Sequence, residues 1–128
     1  MRLLLDTHAL LWWSEDNPRL SAAARDAIRD GANEVYVSAV SAFEIGQKYR
    51  MGKLPDVAVL AEHFPAEVER HGFAPLPIEL SHARRAGTMD IPHKDPFDRL
   101  LIAQAREEGM TLVSNETVFD GFDVQRLW

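Results

Sequence analysis

Short apolar runs alternate along this sequence with longer stretches in which apolar residues recur at helical spacing. The short runs are bounded by polar or turn-forming residues, which predicts β-strands at 3–5, 35–37, 73–78, 111–114 and 124–127. Pro75 and Pro77 lie inside the third run. Because proline cannot donate to a strand ladder, we expect that strand to be short or to lie at a sheet edge.

The longer stretches predict helices at 7–13, 21–30, 41–51, 56–70, 81–88 and 96–108. Gly31, Gly52 and Gly109 follow three of these helices, where glycine commonly ends a helix, and Pro65 predicts a break inside the fourth. Strands and helices alternate throughout. This order is typical of an α/β fold, with a largely parallel sheet covered on both faces and right-handed crossovers, and we expect a single domain over residues 1–128.

Four carboxylates stand at equivalent places in this pattern, after a strand or at the start of the helix that follows it: Asp6, Glu44, Asp98 and Glu116. The carboxyl ends of parallel strands meet at one edge of an open sheet, so these acids can share a pocket. Unneutralised, they would repel one another. Such a cluster raises its own pKa values or binds a hard cation, and oxygen ligands suit Mg²⁺ or Mn²⁺.

Each acid also has a purely structural explanation. Asp6 and Asp95 precede predicted helices and can cap them, and Asp98 would lie in a first turn favoured by the helix dipole. Glu44 can complete a capping box with Ser41, and the fourth acid needs no function in a surface turn. A shared pocket explains four equivalent positions better than four unrelated caps, and a cap can also be a ligand.

Composition narrows the possible classes of protein. The chain of 128 residues is long enough to bury a core, and 46% of its residues are hydrophobic. The absence of cysteine excludes disulfides, thiolate zinc sites and cysteine nucleophiles, and it fits a cytoplasmic protein. No apolar run approaches transmembrane length, so no membrane role is expected. The formal charge of -6 argues against coating nucleic acid by general electrostatics, but not against a metal-assisted nuclease.

Aromatic residues near the first acid have two interpretations. His8 can be a ligand, a general acid or a phosphate contact, or simply a partly buried side chain with one hydrogen bond. Trp12 and Trp13 can stack bases, although adjacent tryptophans on an apolar helix more often supply core area. His93 lies close to the acidic helix and is a weaker candidate for substrate contact.

Four segments of the chain together resemble the PIN-domain ribonucleases, and most closely the VapC toxins of bacterial toxin-antitoxin pairs. These segments are residues 4–12, residues 37–45 with Lys48 and 52–54, residues 95–105, and residues 111–116. The similarity covers nearly the whole chain, and the four motifs occur in the family's order. It implies a three-layer α/β/α domain with a mostly parallel sheet of about five strands.

The resemblance also implies roles for individual residues. Asp6, Glu44 and Asp98 match the family's three best-defined acids, and Glu116 matches a fourth position that is more often aspartate, so it binds metal directly or through water. Asp95 belongs to an Asp-Pro-Phe-Asp subgroup and is interpreted as a cap or a support for the ligands. The hydroxyl residues Thr7 and Ser114 resemble those that orient acids or waters around the metal.

For a family member, one or two Mg²⁺ ions, with Mn²⁺ as a substitute, would support hydrolysis of RNA to a 5'-phosphate and a 3'-hydroxyl. Arg99, Lys48 and Lys53 are the candidate phosphate contacts. Such toxins usually form homodimers and are inhibited by a VapB-type antitoxin whose tail covers the active-site groove.

Two other classes of protein compete with this interpretation. A receiver-like phosphoacceptor domain shares the length and the α/β order, but it needs paired acids after the first strand and a late lysine, whereas Asp6 stands alone and Lys94 is the last lysine. A P-loop enzyme is excluded because the sequence has no Gly-x-x-x-x-Gly-Lys stretch. A PIN-like domain that only binds RNA or protein, with its acids kept as caps, stays open.

Overall fold

Five parallel strands form one sheet in a computed structural model that describes residues 1–128 except for the side chain of Pro55. The strands are β1 (Arg2–Leu5), β2 (Glu34–Ser38), β3 (Ala74–Leu76), β4 (Thr111–Val113) and β5 (Arg126–Leu127). Their order is β3-β2-β1-β4-β5, and every neighbouring pair is parallel. The run at 73–78 therefore supplies a short edge strand, as its prolines predicted.

Helices cover both faces of this sheet. Within the described chain they are α1 (Thr7–Ser14), α2 (Ala22–Arg29), α3 (Ala39–Arg50), α4 (Ala58–Glu62), α5 (Phe64–Arg70), α6 (Leu80–Thr88) and α7 (Pro96–Glu108), with 3₁₀ turns at Pro55–Val57 and Thr117–Gly121. The predicted three-layer α/β/α architecture is confirmed. No helix among the described residues combines the length and apolar character needed to cross a bilayer.

The central strand shows why its sequence is an unbroken apolar run. Leu3, Leu4 and Leu5 are all fully buried. Successive strand residues point to opposite faces, so Leu3 and Leu5 enter the apolar cluster that includes Leu10 of α1, while Leu4 enters the cluster that includes Leu101 of α7. A strand buried on both faces cannot alternate apolar with polar residues.

Helix α3 begins earlier than the sequence predicted. Ser38, the last residue of β2, caps it, and the Ser38 hydroxyl accepts a hydrogen bond from the Val40 amide at 3.0 Å. Ser41 lies inside the helix and is fully buried, so the predicted capping box between Ser41 and Glu44 is wrong. The cap belongs to Ser38 because its backbone is still extended where the strand ends.

The break predicted within 56–70 is also displaced. Helix α4 ends at Glu62, and α5 begins at Phe64, so the interruption falls at His63. Pro65 lies in the first turn of α5 instead of breaking a helix. Proline is tolerated there because a first-turn amide has no intrahelical acceptor.

A buried polar contact joins α7 to the neighbouring strand ends. The Ser38 hydroxyl donates to Gln104 Oε1 at 2.6 Å, and Gln104 Nε2 donates to the Pro77 carbonyl at 3.1 Å. Both Ser38 and Gln104 are fully buried, so these bonds lie inside the protein. They hold α7 against the carboxyl ends of β2 and β3, the edge where the acids were expected.

Candidate active site

All four predicted acids line one pocket at the carboxyl edge of the sheet. The pocket has a volume of about 160 Å³ and is lined by Asp6, Thr7, His8, Glu44, Lys48, Asp95, Asp98, Leu101 and Glu116. Its acids come from the β1–α1 junction, from α3, from the start of α7 and from the segment after β4. The crossovers of the fold thus bring together residues that are far apart in sequence.

Asp6 is the most buried of the acids in this pocket, with only 5% of its surface exposed. It caps α1, and its Oδ1 accepts a hydrogen bond from the Ala9 amide at 2.8 Å. Burial raises the pKa of Asp6 to about 6. Hydrogen bonds from Ser114 and Ala9 oppose this rise, and the charge of Glu116 adds to it.

Glu44 is held by two side chains. Thr7 Oγ1 donates to Glu44 Oε1 at 2.7 Å, and the Ser41 hydroxyl lies 3.0 Å from Thr7 Oγ1. Because Thr7 has a single hydroxyl proton and gives it to Glu44, Ser41 must donate to Thr7. On the other side, Lys48 Nζ lies 2.9 Å from Glu44 Oε2, one helical turn away. The sequence placed Lys48 among the phosphate contacts, and its partner here is an acid of the site.

Asp98 has a histidine partner. His93 Nε2 lies 2.7 Å from Asp98 Oδ2, and an ionised Asp98 can only accept in this bond. Burial is the main cause of a raised pKa for Asp98, to which the charges of Asp95 and Glu116 add, while the hydrogen bond from His93 lowers it. Asp95 is the cap of α7, because its Oδ1 accepts from the amides of Phe97 and Asp98 at 2.9 and 3.1 Å.

Glu116 is the most open of the four acids, with 39% of its side chain exposed. Its Oε1 lies 4.0 Å from His8 Nδ1, beyond hydrogen-bond distance. Its backbone amide donates to the hydroxyl of the fully buried Ser114 at 3.0 Å. Ser114 therefore connects the segment after β4 with Asp6.

The donor set suits a hard divalent cation, although the acids do not form a ready coordination sphere. Among the described side chains, no three of the types His, Cys, Asp and Glu stand close enough to hold a metal ion. Glu44 and Asp98 are instead engaged by Lys48 and His93. Five carboxylates, the four predicted acids and Asp95, nevertheless line the pocket, and burial raises the pKa of Asp6 and Asp98. A divalent cation would offset that cost of burial and repulsion.

Arg99 forms hydrogen bonds that the sequence did not predict. Its guanidinium donates to the carbonyls of Met89 at 2.6 Å, Ala86 at 2.7 Å, His93 at 2.8 Å and Ile91 at 3.3 Å. These bonds hold the end of α6 and the segment that follows it, and a phosphate contact for Arg99 stays a prediction in which the guanidinium would be shared with these carbonyls. Lys53 is exposed in the turn after α3 and is not one of the residues that line the pocket.

Sequence reasoning gave little weight to two residues that help to hold the acids, one directly and one through Thr7. His93 was a weak candidate for substrate contact, and its partner proves to be Asp98. Ser41 was assigned to a helix cap, and it supports Thr7 instead. The only sequence signal for His93 was its position just before Asp95. For Ser41, helical spacing from Glu44 was compatible with either role.

Comparisons with known proteins agree with this fold. The sequence matches the PIN domain over residues 3–124, and the chain belongs to the PIN domain family. It is 32% identical to Ribonuclease VapC22 of Mycobacterium tuberculosis over 120 residues, covering 89% of this chain and 86% of the relative. It is also 40% identical to Ribonuclease VapC16 of the same organism over 76 residues, covering 55% and 54%.

Solved structures show the same architecture at low sequence identity. The DNA-bound VapBC of Salmonella typhimurium is similar with a TM-score of 0.71 at 17% identity, covering 99% of this chain and 97% of that one. VapBC2 from Rickettsia felis, bound to a promoter DNA fragment, is similar with a TM-score of 0.70 at 14% identity, covering 99% and 98%. These likenesses establish the fold.

Proposed function

We propose that this protein is a divalent-metal-dependent endoribonuclease and the toxin of a VapBC-type toxin-antitoxin pair. The observation that carries the proposal is the meeting of Asp6, Glu44, Asp98 and Glu116 in one small pocket at the carboxyl edge of the sheet. Two relatives named as VapC ribonucleases support the reaction class.

In this proposal the acids hold Mg²⁺, or Mn²⁺ in its place, as one or two ions. The metal would polarise a phosphate oxygen and lower the pKa of a bound water, so that no protein nucleophile is needed. Asp6, Glu44 and Asp98 are the proposed direct ligands, and Glu116 binds directly or through water. Hydrolysis of the RNA phosphodiester leaves a 5'-phosphate and a 3'-hydroxyl.

Neighbouring side chains prepare the acids for this role. Thr7 fixes one oxygen of Glu44, and Ser114 stabilises the charged form of Asp6. If a metal ion displaced Lys48 from the other oxygen of Glu44, the Lys48 ammonium would stay at the pocket for a substrate phosphate. Lys53, in the exposed turn after α3, remains a second proposed phosphate contact.

The proposed partners are a VapB-type antitoxin and a second copy of the chain. Support for the antitoxin comes from structural neighbours that are VapBC complexes. The homodimer and the cytoplasmic location rest on the family resemblance and stay predictions.

A cleavage assay with a metal titration tests this function. We expect the purified protein to cut single-stranded RNA with Mg²⁺ or Mn²⁺ and to lose activity in a chelator. Asp98→Asn should lose cleavage and also the rise in thermal midpoint that Mg²⁺ gives the wild type. Glu15→Gln, a change at an exposed acid outside this pocket, is the matched control. RNA cleavage by Asp98→Asn at the wild-type rate would contradict the catalytic assignment.

A catalytically silent domain that binds RNA or protein is the second candidate. It is favoured by the contacts of Lys48 with Glu44 and of His93 with Asp98, which balance two acids without any metal. In that case the cleavage assay would show no cut RNA at any metal concentration, and Mg²⁺ would give no thermal stabilisation. Binding of RNA or protein would be detected without cleavage.

A further inference from the structure

An aromatic ring stands at the edge of the acidic pocket. His8 lines the pocket, and 46% of its side chain is exposed. Trp12 stacks on one face of the imidazole, with ring centroids 5.4 Å apart and an interplanar angle of 23°. Because Trp12 packs against that face, a ligand would have to stack on the opposite face of the His8 ring.

The rings behind His8 make this surface rigid. Trp12 lies 5.7 Å from Trp128, at an angle of 58°, and both tryptophans pack against the apolar cluster that contains Leu10. His8 and Trp12 are one turn apart on α1, so the helix itself sets their spacing. A ring that is already held in place loses little conformational entropy when a ligand stacks on it.

The charge distribution shows why stacking matters for this chain. Its formal charge is -6, and the pocket itself is lined by carboxylates. Lys48 is paired with Glu44, and Arg99 is engaged by backbone carbonyls, so these two cations contribute little to phosphate binding before they are released. Aromatic stacking on an unpaired base adds binding energy that does not come from basic side chains.

We propose that His8, supported from behind by Trp12, is a stacking platform for one unpaired nucleobase beside the phosphate that is cut. This inference rests on the proposed function and identifies a substrate subsite for it. The ligand class is a nucleobase in single-stranded RNA, and the ring face of His8 binds it, not the ring nitrogens. The base would lie next to the acids because His8 and the acids line the same pocket.

Substitutions that separate the ring from its nitrogens test the platform. His8→Gln removes the ring and keeps a polar group, whereas His8→Phe keeps a ring without hydrogen-bonding nitrogens. For a fluorescent single-stranded oligoribonucleotide, His8→Gln should raise KM by about 5- to 140-fold, the range of one base–aromatic stack. We expect kcat to stay within about twofold of wild type. His8→Phe should keep KM near the wild-type value, and His63→Gln, at an exposed histidine outside the pocket, should change neither constant.

A change in the substrate tests the same contact without altering the protein. Once the cleavage site is mapped, an abasic residue at the adjoining nucleotide should raise KM for the wild type as much as His8→Gln does. It should not raise KM further for His8→Gln, because the two changes remove one contact. In a chelator, 2-aminopurine at that nucleotide should be quenched by wild type and His8→Phe and not by His8→Gln.

The outcomes separate this inference from the proposed function. If the wild type cleaves RNA and His8→Gln leaves KM unchanged, the platform is wrong and the nuclease stands. If His8→Phe raises KM as much as His8→Gln does, the ring nitrogens make the contact and the platform is also wrong. If the wild type never cleaves but 2-aminopurine quenching depends on the ring at position 8, the platform stands and the nuclease fails.

Discussion

At the scale of single residues, the main feature is an acid buried at a cost to folding. Asp6 is 5% exposed, and its pKa is raised to about 6 despite hydrogen bonds from Ser114 and Ala9. Those bonds fix the direction of the carboxylate but do not replace all the water that it loses. In the proposed metal site the cation would neutralise the charge of Asp6, so these hydrogen bonds need only fix the direction of the carboxylate.

We expect Asp6→Asn to stabilise the metal-free protein at neutral pH. Between pH 3.8 and about 6 the folded state holds more protons on Asp6 than the unfolded state does, so the free energy of unfolding falls as pH rises through this window. Asparagine keeps the helix cap and has no charge, so the variant should gain about 2 to 3 kcal/mol at pH 7.5.

Urea unfolding in a chelator at pH 3.5 and pH 7.5 measures this effect. Most of the gain should disappear at the lower pH, where Asp6 is protonated in the folded state and mostly protonated in the unfolded state. Asp26→Asn, a change at an exposed acid within α2, should show no such pH dependence. A gain for Asp6→Asn that is the same at both pH values would contradict the buried charge as its cause.

At the scale of elements, α7 and the segment before it form a unit. Asp95 caps the helix, Gly109 ends it with a φ of 64°, and Asp98 stands in its first turn. Arg99, on the same helix, binds four carbonyls between Ala86 and His93. The segment before α7 therefore carries His93 to Asp98 in a defined position, and the Arg99 guanidinium helps to hold that segment.

Arg99→Lys should loosen this loop while keeping the charge. Lysine cannot reproduce a planar set of donors to several carbonyls, so we expect a loss of about 2 kcal/mol in stability. Hydrogen exchange should become faster at residues 89–95 and stay unchanged in β1. An unchanged stability and exchange pattern, combined with a raised KM for RNA, would instead restore the phosphate contact that the sequence predicted.

The same elements show which features the sequence predicts and which it does not. The bounds of α7 were predicted correctly because Asp95, Pro96 and Gly109 are local signals that act on their own neighbours. The start of α3 was missed because Ser38 and Ser41 are both good caps, and the end of β2 decides between them. The role of Arg99 was missed because its partners are backbone carbonyls, which any sequence supplies.

At the scale of the whole molecule, distant motifs converge but the details of their contacts do not follow from the pattern. The order β3-β2-β1-β4-β5 brings the ends of β1, β2 and β4 side by side, which is why four acids could be assigned to one pocket from the sequence. The pairings of Lys48 with Glu44 and of His93 with Asp98 depend on side-chain rotamers, so they could not be predicted from the sequence.

The net charge of -6 predicts an unusual response of RNA cleavage to salt. A basic RNA-binding protein loses affinity steeply as salt rises, because binding releases counterions from phosphates. Here repulsion between an acidic protein and RNA is screened instead. At saturating Mg²⁺, the KM for a single-stranded oligonucleotide should therefore stay level or fall as NaCl rises from about 20 to about 150 mM, because the shorter Debye length weakens that repulsion. A KM that rises steeply over this range would indicate a basic RNA-binding face.

Because β1 lies between β2 and β4, the pocket needs residues from both ends of the chain, and this affects when it can form during synthesis. Asp6 and Glu44 leave the ribosome first, but Asp98 and Glu116 belong to the last third of the chain. A nascent polypeptide thus lacks two of the four proposed metal ligands, Asp98 and Glu116, until most of the chain has been translated. Under the proposed function, the growing chain could not cleave RNA before Asp98 and Glu116 had been added and the pocket had formed.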